Sequence, residues 1–167
     1  MAHIQRITPC LWFDSQAEAA AVFYTAIFPD SRITQVSRYG EAGFEFHGRP
    51  AGSVMTVAFE LAGQGFTALN GGPLFTFNEA VSLQVMCDDQ AEVDHYWQRL
   101  GEGGAREAQQ CGWLRDRYGL AWQVVPRVLP QMLCAADGAA AQRAMQAVLQ
   151  MQRLDIAVLQ RAFDGQG

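Results

Sequence analysis

The side chains that most often carry chemistry, cysteine and histidine, are few and scattered in this chain. The cysteines are Cys10, Cys87, Cys111 and Cys134, none of them in a C-x-x-C pair. The histidines are His3, His47 and His95. No basic residue is placed to lower the pKa of the Cys10 thiol, and Ser82 has no histidine beside it in the arrangement predicted below. The residues therefore predict neither a nucleophilic triad nor a paired-cysteine metal site.

The charged residues are expected in solvent or at element ends. Glu60, Glu79 and Asp88 suit strand ends or helix starts, and residues 115–117 suit a turn with solvated charges. The formal net charge is −5 and no basic cluster exists, which argues against a nucleic-acid partner. No apolar run approaches the roughly 20 residues that a membrane span needs, and the N-terminus has no signal-peptide pattern. We expect a cytoplasmic protein with reduced cysteines and no membrane partner.

An internal repeat organises the chain. Residues 14–18 read DSQAE and residues 88–92 read DDQAE, 74 positions later. Each motif follows an apolar strand-like run and precedes an amphipathic helix with apolar residues at i, i+3, i+4 and i+7. The two stripes are Ala20, Phe23, Tyr24 and Ile27, and Val93, Tyr96, Trp97 and Leu100. Ser15 with Glu18, and Asp89 with Glu92, are spaced as capping boxes.

Further strands follow each predicted helix. They are expected at residues 31–39, 53–61 and 65–69, and again at 105–109, 112–115 and 120–125, with a loop at 40–52. The order βαβββ therefore occurs twice, and the fold class is α+β with a helical tail. The modules are expected at residues 1–73 and 80–127 and the tail at 131–167, all in one structural domain.

The tail carries many apolar side chains. They are Met145, Val148, Leu149, Met151, Leu154, Ile156 and Phe163. An exposed stripe of that size would be unusual on a monomer. It predicts packing against a partner subunit or, alternatively, a return onto the chain's own helices. Asp155 can cap the last helix.

Several stretches resemble the PhnB-like branch of the vicinal-oxygen-chelate superfamily, the superfamily of glyoxalases, bleomycin-resistance proteins and dioxygenases. They are ITPCLWFDSQAEAAAVFY, FPDSRI, FTALNGGP, FNEA, DDQAEVDHYW and CGWLRDRYGLAWQVVP. The resemblance covers nearly the whole chain and implies curved, mixed, glyoxalase-like sheets and a homodimer. The branch is sometimes labelled 3-demethylubiquinone-9 3-methyltransferase. We disfavour that activity, because no Gly-x-Gly turn follows a strand and Pro73 makes residues 70–73 a turn rather than a cofactor cradle.

The resemblance also implies where a metal would bind. Metal-dependent members hold the ion with four His, Gln or Glu side chains on the first and last strands of each module. The matching positions here are Thr8 (or Pro9, in a gap-free match anchored on Phe23-Tyr24), Ala68, Ser82 and Gln123. Only Gln123 is a usual donor, so we expect no bound metal and no other cofactor.

Alternation along the strands predicts a helix-covered face and a concave face. The helix-covered residues are predicted to be Ile7, Pro9, Leu11, Phe13, Val81, Leu83, Val85 and Cys87. The concave residues are predicted to be Thr8, Cys10, Trp12, Ser82, Gln84, Met86, Ala68, Asn70, Gln123 and Val125. The ligand-binding candidates are Thr8, Cys10, Trp12, Ala68, Asn70, Ser82, Gln84, Trp113 and Gln123. Their mixture of apolar, amide and hydroxyl groups fits a small-molecule cavity, in which Trp12 and Trp113 could stack on a flat ligand. The alternative is a plain sheet surface or dimer contact.

We therefore expect a homodimeric PhnB-like protein that binds an unidentified small organic molecule in a cavity without a conventional metal site. A metal-assisted lyase, isomerase or dioxygenase working around Gln123 is the first alternative. A dimeric scaffold is the second. The residues identify no catalytic group, and whether the protein is an enzyme stays open.

Overall fold

A computed structural model describes residues 5–166, which divide into two compact units at residues 76 and 77. Unit 1 contains β1 (Cys10–Phe13), α1 (Ala17–Thr25), β2 (Arg32–Arg38), α2 (Phe44–His47), β3 (Val54–Leu61) and β4 (Gln64–Asn70). Unit 2 contains β5 (Leu83–Cys87), α3 (Gln90–Gly101), β6 (Ala105–Gln110), β7 (Trp113–Arg115), β8 (Ala121–Pro126), α4 (Val128–Leu133), α5 (Gly138–Leu149) and α6 (Ile156–Phe163). The helical tail thus belongs to unit 2.

Both units have the same sheet topology. In unit 1 the strand order is β1-β4-β3-β2, with β1 parallel to β4 and the other pairs antiparallel. Unit 2 repeats this pattern as β5-β8-β7-β6, with β5 parallel to β8. The predicted α+β fold of two βαβββ modules with a helical tail is confirmed. The loop predicted at 40–52 contains one addition, the single helical turn α2.

In each unit one face of the sheet is covered by a helix. Leu11 and Phe13 of β1 are buried, as are Ala20 and Tyr24 of α1, and α1 packs against β3 and β4. In unit 2 the buried Val85 and Cys87 of β5 lie with Val93, Tyr96 and Leu100 of α3. The alternation fails before each first strand begins: Ile7 is 87% exposed and Val81 is 70% exposed. These residues precede the strands and lack a helix to cover them.

The helix starts differ between the units. Asp89 caps α3, since its Oδ1 accepts a hydrogen bond from Glu92 N at 2.9 Å, while Glu92 Oε2 accepts one from Asp88 N at 2.7 Å. The pair forms the predicted capping box with one difference: Glu92 accepts from the residue before the cap, Asp88, instead of from Asp89 itself. The box predicted at Ser15 is absent: α1 begins after Gln16 with no side-chain cap from that residue. A residue of β4 satisfies this helix end instead, as described below.

The tail folds back within unit 2. Five of its side chains form a buried cluster with Leu129: Met132, Ala144, Val148, Leu154 and Leu159. Of the stripe predicted from the sequence, Met145 and Leu149 remain exposed. Of the two arrangements predicted for the tail, the structure shows the return onto the chain's own helices, which bury their apolar sides against one another and against β8 residues such as Val125.

Main-chain and side-chain hydrogen bonds hold the tail in place. Cys111 N donates to Met151 O at 2.8 Å and Gly112 N donates to Gln152 O at 2.7 Å, so the tail pairs with the β6–β7 turn. Gln90 bonds the tail twice, through Leu154 O at 3.2 Å and Ile156 N at 2.8 Å. No helix described between residues 5 and 166 is long and apolar enough to cross a membrane.

Candidate functional site

Four of the predicted ligand-binding residues lie together on the uncovered face of the unit 2 sheet. The register pairs Gln84 of β5 with Gln123 of β8, and Trp113 of β7 with the same Gln123. Paired residues of neighbouring strands point to the same side of a sheet. Because Val85 and Val124 are buried, these three residues lie on the opposite face from the helix.

Gln123 is the centre of this group. Its Nε2 donates to Ser82 Oγ at 2.8 Å, and its Oε1 accepts a hydrogen bond from Gln84 Nε2 at 3.2 Å. The row of two amides and a hydroxyl is electrically neutral and can both donate and accept hydrogen bonds. Such a row can orient a polar ligand, but it contains no group that is basic or nucleophilic at neutral pH.

A cavity of about 430 Å³ opens on the same face. It is lined by Glu79, Ala108, Gln110, Cys111, Trp113, Leu114, Arg115 and Ala121. Its volume is in the range of small-molecule pockets. Arg115, Glu79 and Cys111 were not predicted to belong to a site. Arg115 could have been found from its position two residues after Trp113, which places both side chains on one face of β7.

The turn after β7 contains a buried carboxylate, in contrast to the solvated charges expected at residues 115–117, of which Arg117 is exposed. Asp116 is only 2% exposed. Its Oδ2 accepts from Trp122 Nε1 at 2.8 Å, and its Oδ1 accepts from Leu120 N at 3.1 Å and Tyr118 N at 2.8 Å. A carboxylate with these donors can remain charged when buried. Asp116 therefore fixes the β7–β8 turn and the neighbouring Arg115.

In unit 1 the structure corrects the face predicted for Ala68 and Asn70. Leu11 pairs with Ala68, and Val57 pairs with the same residue. All three are buried, on the face that α1 covers. Thr67 and Leu69 take the opposite face, beside Cys10 and Trp12. The one-residue error arose because the end of β4 could not be aligned with β1 from the sequence, and a one-residue shift moves every side chain to the other face.

Asn70 has a structural role. Its Oδ1 accepts from Ala17 N at 2.8 Å, and its Nδ2 donates to Val54 O at 3.1 Å. The Tyr39 hydroxyl donates to Asn70 O at 2.7 Å. The Asn70 side chain, which belongs to β4, thus accepts a hydrogen bond from an N–H at the start of α1. In most helices the side chain of the N-cap residue accepts this kind of hydrogen bond. Asn70 holds α1, β3 and β4 together.

Trp12 also has partners within the unit. Its indole Nε1 donates to Gly72 O at 2.8 Å, and its ring meets Phe75 edge-on at 4.9 Å between centroids. A Cβ at Gly71 would overlap the Trp12 ring, so only glycine allows this approach. Thr8 is exposed just before β1, and Cys10 is exposed on it. Trp12 therefore packs against the FTALNGGP segment, residues 66–73, instead of facing a ligand cavity.

The four cysteines are unpaired thiols. Burial raises the pKa of Cys87 to about 12, and the neighbouring carboxylates of Glu92 and Asp88 add to the rise. Partial desolvation also raises the pKa of Cys10 above its ordinary value. Both shifts favour the neutral thiol, and a neutral thiol is a weak nucleophile.

The residues at the implied metal positions do not fit a metal ion. Ala68 has no donor atom and is buried under α1, and both amide atoms of Gln123 are engaged by Ser82 and Gln84. Across residues 5–166, no group of three or more His, Cys, Asp and Glu side chains could hold a metal. His3 lies outside the described residues. His47 accepts a hydrogen bond from Arg49 N at 3.0 Å and contacts the Tyr39 ring.

Comparison with known proteins places this architecture in a family. Residues 5–125 match the family described as 3-demethylubiquinone-9 3-methyltransferase. No curated protein matches the chain.

Solved structures with similar folds agree with this match. A PhnB protein from Bacillus cereus, whose provisional name repeats that description, is 36% identical over 73% of this chain and 99% of its own, with a TM-score of 0.62. The protein PA1353 from Pseudomonas aeruginosa is 20% identical over 74% of this chain and 98% of its own, with a TM-score of 0.56. That second likeness shows the fold alone.

Two βαβββ units, each with one helix-covered and one open sheet face, define a protein of the glyoxalase type. The chain belongs to the PhnB-like family described as 3-demethylubiquinone-9 3-methyltransferase.

The structural role of Asn70 can be tested by its removal. Asn70→Ala should lower the free energy of unfolding by about 1–3 kcal/mol, because Ala17 N and Val54 O lose buried partners. Asn78→Ala is the matched control, since Asn78 is exposed and bonds only Ala80 N, at 2.9 Å, among the described residues. It should change stability by less than about 0.5 kcal/mol. Urea unfolding measures both, and equal effects would contradict the assignment.

Proposed function

We propose that the protein binds a small organic molecule on the open face of the unit 2 sheet, without a resident metal. The observation that carries this proposal is that the cavity and the row formed by Ser82, Gln84 and Gln123 lie next to each other on the same sheet face. Trp113 joins them, since it lines the cavity and pairs with Gln123 of the row. An aromatic plane next to neutral hydrogen-bonding groups suits a flat molecule with polar substituents.

A metal-assisted lyase, isomerase or dioxygenase is the alternative. It would need donors that converge on one point with lone pairs free for the ion. One of the two lone pairs of Gln123 Oε1 already accepts a hydrogen bond from Gln84, and Ala68 has no donor atom and lies on the helix-covered face. The donor set therefore favours binding without metal.

We also infer that the methyltransferase in the family's description is not this chain's activity. The usual fold for S-adenosylmethionine places a glycine-rich turn between a strand and a helix. Here α1 is entered through Asp14-Ser15-Gln16 and α3 through Asp88-Asp89. Neither turn contains a glycine, the residue that would let a cofactor approach the backbone closely.

We further propose a homodimer in the reducing cytoplasm. The free thiols of Cys10 and Cys134 are exposed, which suits a compartment where thiols stay reduced. The surface for the dimer is not the tail, whose apolar side chains are mostly buried in unit 2. Phe44 and Phe46 on α2 are 54% and 89% exposed, and burial in a partner would stabilise them. The second alternative function, a dimeric scaffold, would use the same interface but would bind no ligand.

N-phenyl-1-naphthylamine, a neutral flat fluorophore, tests the binding site. Its fluorescence should rise on addition of the protein, and Trp113→Ala should weaken its affinity by about tenfold through loss of ring contact. Trp97→Ala is the matched control because Trp97 is a half-buried tryptophan on α3 outside the cavity lining. Fluorescence titration measures both. Equal loss in the two variants, or no binding by the parent, would exclude this site.

The purified, untagged protein should hold less than stoichiometric metal after dialysis, because three of its four ligand positions lack a usual donor. Elemental mass spectrometry measures this, and one Zn, Ni, Mn or Fe per chain would favour the metal-assisted alternative.

The purified protein should give no heat on calorimetric titration with S-adenosylmethionine, because neither strand-to-helix turn is rich in glycine. Micromolar binding would restore the methyltransferase reading.

Light scattering should report about twice the 18.4 kDa chain mass. The double variant Phe44→Ser/Phe46→Ser should shift the protein to a monomer, since it removes the apolar surface proposed for the interface. The matched variant Met145→Ser/Leu149→Ser changes the two exposed tail residues and should remain dimeric. A monomeric parent would refute the dimer, and a monomer only in the tail variant would return the interface to the tail.

A further inference from the structure

We propose that the unit 2 cavity selects ligands that carry an oxyanion, a carboxylate or a phosphate, and that Arg115 binds this group in place of Glu79. The inference rests on the proposed function, because it names the class of molecule that the same cavity takes. It is carried by the state of the Arg115 guanidinium.

Arg115 has a buried donor without an acceptor. Its Nε has no hydrogen-bond partner among the described residues although solvent does not reach it. Glu79 Oε1 lies 3.4 Å from that nitrogen, close enough for an ion pair but without hydrogen-bond geometry. A buried, charged donor in this state is costly, because it has lost water and gained no acceptor. A ligand oxyanion would supply the missing acceptor.

The position of Arg115 on the sheet joins this charge to the rest of the site. It pairs with Ala121 of β8 and Ala105 of β6, and it lies two residues from Trp113. Both neighbours across the sheet are alanines, so short side chains flank the guanidinium on either side. Trp113 lies on the same face and lines the same cavity. A cation and an aromatic plane so arranged suit an anion attached to a flat or apolar body.

Glu79 is placed to be displaced. It belongs to the segment before β5, and its side chain is 56% exposed, against 35% for Arg115. Ion pairs with that much solvent contribute little, so a ligand can replace Glu79 at small cost. The formal net charge of the chain is −5, so attraction of an anion must come from this local cation rather than from the protein as a whole.

The experiment uses a matched pair of probes on the full-length protein. N-phenyl-1-naphthylamine is neutral, and 8-anilinonaphthalene-1-sulfonate is nearly the same ring system with an added sulfonate. Arg115→Gln should weaken binding of the sulfonate by about tenfold, the loss of one charged hydrogen-bonding partner, and leave the neutral probe within about twofold. Arg115→Lys should keep part of the affinity for the sulfonate, because it keeps the charge but not the planar fork.

Two further variants control for general charge effects. Glu79→Gln should strengthen sulfonate binding by about threefold, since the competing carboxylate is removed. Arg117→Gln removes a neighbouring arginine that pairs with Glu102 at 3.6 Å and lies outside the cavity lining, and it should change neither probe. Circular dichroism confirms that each variant is folded.

The outcomes separate this inference from the proposed function. If neither probe binds, the cavity is not a binding site and both fail. If the neutral probe binds with Trp113 dependence but Arg115→Gln affects both probes equally or neither, the oxyanion inference alone is overturned. Displacement of the sulfonate by 1-naphthoate or by 1-naphthyl phosphate then assigns the anion as carboxylate or phosphate. Displacement by neither would also overturn it.

Discussion

The parallel pairing of the first and last strand of each module is the constraint on which the rest of this structure depends. It places β1 beside β4 and β5 beside β8, although each pair is separated by a helix and two strands. A parallel connection needs a crossover, and the crossover helix covers one sheet face. That face becomes the core of the unit, and the other face is left open. Every assignment of a side chain to core or site follows from this pairing.

The two units use their open faces and strand ends differently. In unit 1, the end of β4 serves the fold: Asn70 satisfies the start of α1, and Gly71 admits the ring of Trp12. In unit 2, the matching strand β8 carries Gln123, whose amide faces the open side and joins Ser82. Asp89 caps α3 locally, so β8 needs no residue for that task. At the position of β8 that corresponds to Asn70, unit 2 has Pro126, which has no side-chain hydrogen-bonding group to offer a helix start.

The chemistry of the open face in unit 2 is that of recognition. Amides, a hydroxyl, an indole and one guanidinium lie on this face, in the cavity lining or next to it, and these groups bind polar and planar molecules without attacking them. Burial raises the pKa of Cys87 to about 12 and also raises the pKa of Cys10, which favours the neutral form of these two thiols. The buried carboxylate of Asp116 is committed to the β7–β8 turn. These arrangements favour selective binding over acid–base or nucleophilic catalysis.

The sequence alone determined the repeat, the element order and the helix-covered positions inside the strands. Hydrophobic periodicity and the DxQAE motif are local signals, so Val85, Cys87 and the Asp89 cap could be read from neighbours in the chain. The same local alternation placed Gln84 and Gln123 on the open side. These residues lie inside strands whose partners keep a regular register.

Only the tertiary structure decided the rest, because it depends on groups far apart in the chain. The register between β1 and β4 moved Ala68 and Asn70 to the helix-covered face, and no local pattern encodes a one-residue shift. The charges of residues 115–117 predicted a solvated turn, but Asp116 is buried and accepts hydrogen bonds from Trp122 and Leu120. The apolar side chains of the tail predict burial but do not identify the surface that buries them. Contacts within unit 2, such as the hydrogen bond from Gln90 to Leu154 O, fix their position.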